Sequence, residues 1–190
     1  MTGIVIFPAG RDDAFADYKR FVRDGHPIDD IEPYLTEDEL DLFRTTSEDD
    51  LVHVWGTSVD GTWRNVERND IALVYHDGGF VARGQVLHLR HDPDLAEYLW
   101  KENVNHSRWD DESPWEYMTF LTDVEEVDVD IEEFNALVGY DETYRPQGFT
   151  RVADKRLDQL TDEESVETAI ANLTETGERV HPVEEEDDGP

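Results

Sequence analysis

The chain of 190 residues has no cysteine. That excludes disulfides, zinc ribbons and a thiol nucleophile. It is also poor in positive charge: 16 Lys and Arg face 48 Asp and Glu, a formal net charge of −32. No apolar run approaches the roughly 18 residues that a membrane-spanning helix needs. The opening Met1-Thr-Gly-Ile-Val-Ile-Phe-Pro is too short in apolar residues to read as a signal peptide, so a cytoplasmic protein without a membrane partner is expected. There is no Gly-x-x-x-x-Gly-Lys-Ser/Thr, Gly-x-Gly-x-x-Gly, Gly-x-Ser-x-Gly or His-Glu-x-x-His run. His88 and His91 would not converge on a metal from a strand running into a turn. No metal, no cofactor and no catalytic residue is therefore assigned. Internal repeats and linkers rich in Ser, Gly or Pro are missing as well.

The acidity is spread along the chain rather than gathered in one block. In dilute solution such a surface repels itself. In molar salt the Debye length falls to about 3 Å and the repulsion is screened. The composition therefore predicts a halophile protein, and an acidic balance then loses its usual force against nucleic acid. A partner bound in high salt must be held by stacking and shape, because attraction to phosphates weakens steeply with salt.

Apolar periodicity predicts an α+β chain. A strand is expected at Gly3–Phe7. A helix from Asp12 or Asp13 to about Asp24 should bury Phe15, Tyr18, Phe21 and Val22. Two further short helices follow, the second opened by the capping box Thr36-Glu-Asp-Glu39. Strands are expected at Leu51–Trp55, Ile71–Tyr75, Phe80–Leu89, Trp115–Val124 and, briefly, Val127–Ile131. Asp77-Gly78-Gly79 marks a hairpin, and Gly84 a bulge or close backbone approach. Asp92-Pro93 starts a helix, Ile131–Leu137 forms another ended by Gly139, and Tyr140–Gly148 is a loop. Phe149–Val152 is a last strand or turn. A second capping box at Thr161–Glu164 precedes a helix to about Leu173. Residues 1–155 are expected as one domain with N-terminal helices, 156–175 as a C-terminal helix packed on it, and 176–190 as a disordered acidic tail.

All five tryptophans lie between Leu51 and Leu121. Trp100 on its helix, Trp115 on its strand and Tyr75 are explained as fold support, and Trp63 has no assigned place. Trp109 sits in the polar stretch Asn105-His-Ser-Arg-Trp-Asp-Asp-Glu, without periodic apolar company. A loop tryptophan suits a lid over a pocket. Trp55 is followed by Gly56, whose bare backbone permits close approach of something flat.

These residues carry a resemblance. Val54-Trp55-Gly56 resembles the Val-Trp-Cys/Ser element of YTH domains. The pair Ile71–Leu87 is similar to the corresponding strands of YTH and EVE domains. Trp109, about eleven residues before Phe120-Leu-Thr-Asp-Val124, resembles the loop tryptophan of the same domains. Pro114–Leu121 with Gln147-Gly-Phe-Thr-Arg151 resembles the recognition domains of archaeal McrB-type restriction GTPases. The resemblance spans roughly Val52 to Val152 and departs from YTH domains at Gly56 and in lacking a basic surface. It implies a PUA-like fold, a small curled β-barrel or sheet flanked by helices. It further implies recognition of a modified base in DNA or RNA, N6-methyladenine first, with a nuclease or GTPase as effector. Trp55 and Trp109 would sandwich the base, the Gly56 backbone and Thr57 hydroxyl would read its edge, and Tyr75 and His53 are further pocket candidates. Arg83, Lys101, Arg108, Arg145 and Arg151 would face phosphates, with solvated ion pairs as the alternative. Two other readings stay open: an enzyme acting on a nucleobase or small ligand in the same pocket, and a regulatory or interaction protein whose aromatics are only core.

Overall fold

The structure is a computed structural model that describes residues 1–102, 115–161 and 165–176. Among these residues seven strands form one sheet in the order β2-β3-β6-β5-β4-β1-β7, accompanied by eight α-helices. The strands are β1 (Ile4–Pro8), β2 (His26–Pro27), β3 (Leu51–Thr57), β4 (Ile71–His76), β5 (Gly79–His91), β6 (Tyr117–Asp130) and β7 (Thr150–Arg151). Only β1 and β4 run parallel; the other neighbours are antiparallel. The fold is thus α+β, and its sheet is mixed and open: no ladder joins β2 to β7 among the described residues. The expectation of a curled sheet with flanking helices holds, without closure into a barrel.

Alternation along the strands assigns the core. Val5, Phe7, Ala72 and Val74 face one apolar cluster together with Trp55, Tyr18 and Phe149. Ile4, Ile6, Ile71 and Leu73 face another, covered by Phe134, Leu157 and Ile170. The helices there are α6 (Ile131–Val138), α7 (Asp154–Thr161) and α8 (Val166–Thr176). Gly139 ends α6 at φ 69°, the left-handed cap that glycine adopts at least cost. A third cluster joins Val52, Val54, Met118 and Phe120 to Phe21, Phe43, Leu99 and Trp100. It is closed by α2 (Ile28–Ile31), α3 (Glu37–Thr46) and α5 (Pro93–Glu97).

Several local expectations meet the structure directly. The Thr36–Glu39 capping box forms, with Thr36 Oγ1 accepting from the Glu39 amide at 3.3 Å and Glu39 accepting from the Thr36 amide at 2.9 Å. The register slips around Gly84, where a Cβ would lie 3.2 Å from Val124. Three details differ. The expected helix over 12–24 is α1 (Asp12–Asp17) followed by a π-helical turn at Tyr18–Arg23, and α5 likewise runs into a π-helical turn at Tyr98–Glu102. The strands expected at 115–124 and 127–131 are one strand, β6, bent by bulges against β5 and passing Asp123 at φ 51°. The helix expected to about Leu173 is preceded by another, α7. The second capping box falls partly outside the described residues; Ser165 caps α8 through the Thr168 amide at 3.1 Å. The 176–190 tail lies outside them from residue 177 on.

One polar clamp ties α3 to the far end of β5. Arg90 donates to Glu39, to Asp92 at 3.0 Å and to the Tyr34 carbonyl at 2.5 Å, while His88 meets Glu39 at 2.8 Å. Burial alone would raise both carboxyl pKa values. Hydrogen bonds from the Thr36 amide and His88, with the Arg90 charge, nevertheless hold Glu39 below its usual range. The Leu95 amide and Arg90 do the same for Asp92. Depressed folded pKa values contribute stability above the unfolded values of about 4, and that contribution is lost as pH falls through the folded ones. Thermal melts in constant molar salt should therefore show Arg90→Gln losing most, relative to wild type, near neutrality. The gap should narrow below about pH 4. A gap constant with pH would sink this account.

Candidate functional site

Between the C-terminal end of β3, the start of α1 and the loop before β7 lies an open cleft of about 350 Å³. This is within the usual range for small-ligand sites, about 300–1,000 Å³. It is backed by a run of aromatic rings. Phe149 stacks on Phe7 (5.6 Å, 14°), Phe7 on Trp55 (5.5 Å, 4°), and Trp55 on Trp115 (5.8 Å, 27°). Trp55 is only 3% exposed and forms the back of the cleft. Trp115 and Tyr75 are half-buried and line it, the Tyr75 ring meeting Phe80 edge-on at 5.9 Å.

The polar lining is small. Thr57 is buried, and its Oγ1 accepts from the Val59 amide at 3.1 Å. Asp13 accepts from Arg11 at 3.0 Å and from the Ala14 amide at 2.8 Å. The Arg11 side chain is 81% exposed at the mouth. Gln147 stands exposed on the opposite rim. A carboxylate and a guanidinium facing a flat apolar slot can accept from an exocyclic amine and donate to a ring nitrogen or carbonyl.

The wall that carries Gln147 and Phe149 is held from below. Asn135 on α6 is fully buried and donates to the Tyr144 carbonyl at 3.0 Å. Arg145 donates to the carbonyls of Glu142 (2.9 Å) and Tyr144 (2.8 Å) and to Glu132 (2.8 Å). The loop is thereby fixed to a helix rather than left to fluctuate against solvent.

The structure brings Trp55, Gly56, Thr57 and Tyr75 together at this cleft. His53 is not there. Two residues earlier on β3, it lies under the π-helical turn, where its Nδ1 meets the Val22 carbonyl at 2.6 Å. A carbonyl only accepts, so Nδ1 carries the proton. His53 lines a separate hollow of about 250 Å³ with Phe43 and Leu121. Among the expected phosphate contacts, Arg83 is engaged with Glu125 and with Thr174 on α8 (2.6 Å). Arg145 holds the loop just described, and Arg151 pairs with Asp70 and Asp154. Trp109, Arg108 and the Lys101 side chain lie outside the described residues.

Gly56 has a different reason from the one expected. A Cβ there would lie 2.7 Å from Trp115 Cβ, 2.8 Å from the Trp115 carbonyl oxygen and 2.8 Å from Trp100. The flat groups approaching its backbone are the chain's own tryptophans. Sequence reasoning assigned Trp115 to fold support, and it passed over Arg11, Asp13 and Phe149 as cleft residues. Gln147-Gly148-Phe149 carried part of the resemblance and was the available signal. Trp63, without a place before, packs at the edge of the apolar cluster behind the cleft and donates from Nε1 to the Met118 carbonyl at 3.3 Å.

Among the described residues no group of three or more His, Asp or Glu is placed to hold a metal ion, and no helix is long and apolar enough to cross a membrane. The chain matches no protein-family model and no curated protein. Among solved structures, it is similar to the N-terminal domain of McrB from Thermococcus gammatolerans bound to m5C DNA. Identity is 17%, the match covers 85% of this chain and 96% of that one, and the TM-score is 0.63. At that identity the likeness shows a shared fold.

Proposed function

We propose that this protein binds DNA by taking a methylated base, flipped out of the duplex, into the cleft between Trp115, Tyr75 and Phe149. The observation that carries this reading is the open aromatic slot with a carboxylate and a guanidinium at its mouth. A solved structure with this fold is bound to DNA containing 5-methylcytosine, which supports DNA as the partner. Cytosine and adenine share an exocyclic amine beside a ring nitrogen, the edge that Asp13 and Arg11 suit. N6-methyladenine remains our first candidate, with 5-methylcytosine as the direct comparison.

The energetics agree with a protein built for high salt, to which we assign the −32 charge. Stacking a base on an aromatic ring contributes about 1–3 kcal/mol and does not depend on phosphate attraction. The methyl group adds about 0.8 kcal/mol. Discrimination grows where an unmethylated amine would leave an unpaired N–H in the slot. A reader of this kind acts through an effector, and a nuclease or GTPase partner is part of the proposal.

The test is fluorescence anisotropy in molar KCl with labelled duplexes carrying one central N6-methyladenine, 5-methylcytosine or unmodified base, and an RNA counterpart. A methylated DNA duplex should bind tightest. Trp115→Ala should weaken it about ten- to a hundredfold. Equal affinity for methylated and unmethylated duplexes would overturn the reading.

A further inference from the structure

We propose that Val59 is the side chain that enters the duplex and holds open the gap left by the extruded base. This rests on reading the cleft as a modified-base site. Val59 is 44% exposed; among the described residues, Met1 is the one other large hydrophobic that is exposed. It stands at the mouth of the cleft, next to Ser58 and Thr57. A surface this hydrophilic does not leave an aliphatic side chain at the entrance of an aromatic slot for the sake of the core, because Val59 contributes nothing to any of the three apolar clusters.

Its loop is built as a rigid mount. The Val59 amide donates to Thr57 Oγ1 at 3.1 Å, which fixes the turn leaving β3. The Val59 carbonyl accepts from the Trp63 amide at 3.2 Å and the Asp60 carbonyl from the Arg64 amide at 2.9 Å, closing the single turn α4 (Asp60–Trp63). Trp63 pins that turn to β6 through Met118 and tilts against Tyr117 at 5.2 Å. Val59 is therefore held at a set distance from Trp115 rather than swinging on a long loop.

The chemistry fits. Extruding a base leaves an apolar hole in the stack, and an apolar wedge between base steps offsets part of the lost stacking. An uncharged wedge is unaffected by salt and adds nothing to the repulsion between this acidic chain and DNA.

The experiment compares wild type with Val59→Ser and Val59→Leu in molar KCl. The probe is an oligonucleotide carrying the methylated base that wild type binds tighter. It is presented single-stranded, as a full duplex, and as a duplex with an abasic site opposite that base. Val59→Ser should weaken the full duplex about tenfold, leave the single strand unchanged and recover most of the loss opposite the abasic site, where flipping costs less. Val59→Leu should restore duplex affinity. Melting temperatures of both variants should match wild type, because the side chain is exposed. Equal losses on single strand and duplex would make Val59 a wall of the cleft and overturn the wedge, as would an unchanged duplex affinity. If wild type fails to prefer the methylated over the unmethylated single strand, the modified-base reading itself falls, and the wedge with it.

Discussion

Replacing Asp70 by alanine should lower the melting temperature by about 6–20 °C, the largest stability effect expected of any single carboxylate here. Its side chain is 1% exposed in a chain where most acids are solvated. It accepts from the Gly3 amide at 2.7 Å, from the Glu67 amide at 3.0 Å and from Arg151 Nε at 3.4 Å. These bonds gather the start of β1, the turn before β4 and the end of β7 around one charge. Without it, two amides lose their partner and Arg151, itself only 15% exposed, keeps a buried charge with Asp154 alone. Breaking such a pair from one side costs about 3–5 kcal/mol, and each kcal/mol moves the midpoint about 2–4 °C in a protein of this size. Asp154 is 59% exposed, so Asp154→Ala should cost less than about 1 kcal/mol. Circular dichroism melts of both variants in molar salt decide the matter. Equal shifts would mean that burial is not what distinguishes the two carboxylates.

Nothing in the sequence marks Asp70 among 48 acidic residues. Its role follows from where three distant segments meet, and local pattern carries no such information. The same holds for Arg83 and Arg151, whose partners lie 42 and 81 residues away. What was legible is what short-range physics dictates: the capping box at Thr36, the hairpin at Asp77-Gly78-Gly79, the Gly139 cap and the strand alternation. The parallel pairing of β1 with β4 was not, because a strand of five residues declares no direction. Nor was the continuity of β6, since its bulges interrupt the alternation from which a strand is read.

The cleft was half legible. Trp55, Gly56, Thr57 and Tyr75 all line it, from the last residues of β3 and the end of β4. Trp115, read as fold support, does pack against the third apolar cluster and on Trp55 and Trp100, and it lines the cleft as well. The second role was not legible, because Trp115 stands just before the first residue of β6, where no strand alternation says which way a side chain faces. Trp55, conspicuous in sequence, is buried between Phe7 and Trp115, and in the proposed site it would act mainly by fixing the plane of the ring in front of it.

That dependence makes Gly56→Ala the most informative change at the site. The new methyl would need space that Trp115 Cβ, the Trp115 carbonyl and Trp100 occupy within 2.8 Å. Trp100 is 1% exposed and wedged against Phe21, so it has little room to move. Trp115 must yield, and its backbone with it. Overpacking of this kind costs about 1–3 kcal/mol, or roughly 2–12 °C in melting temperature. Affinity for the methylated duplex should fall further, about ten- to a hundredfold, because the ring proposed to stack on the base has left its plane. Gly148→Ala is the matched control: it lines the same cleft, and a Cβ there meets nothing within 4 Å. It should keep both stability and affinity. If Gly56→Ala destabilises the protein but binds as tightly as Gly148→Ala, then Trp115 is fold support, and the base is held by other residues.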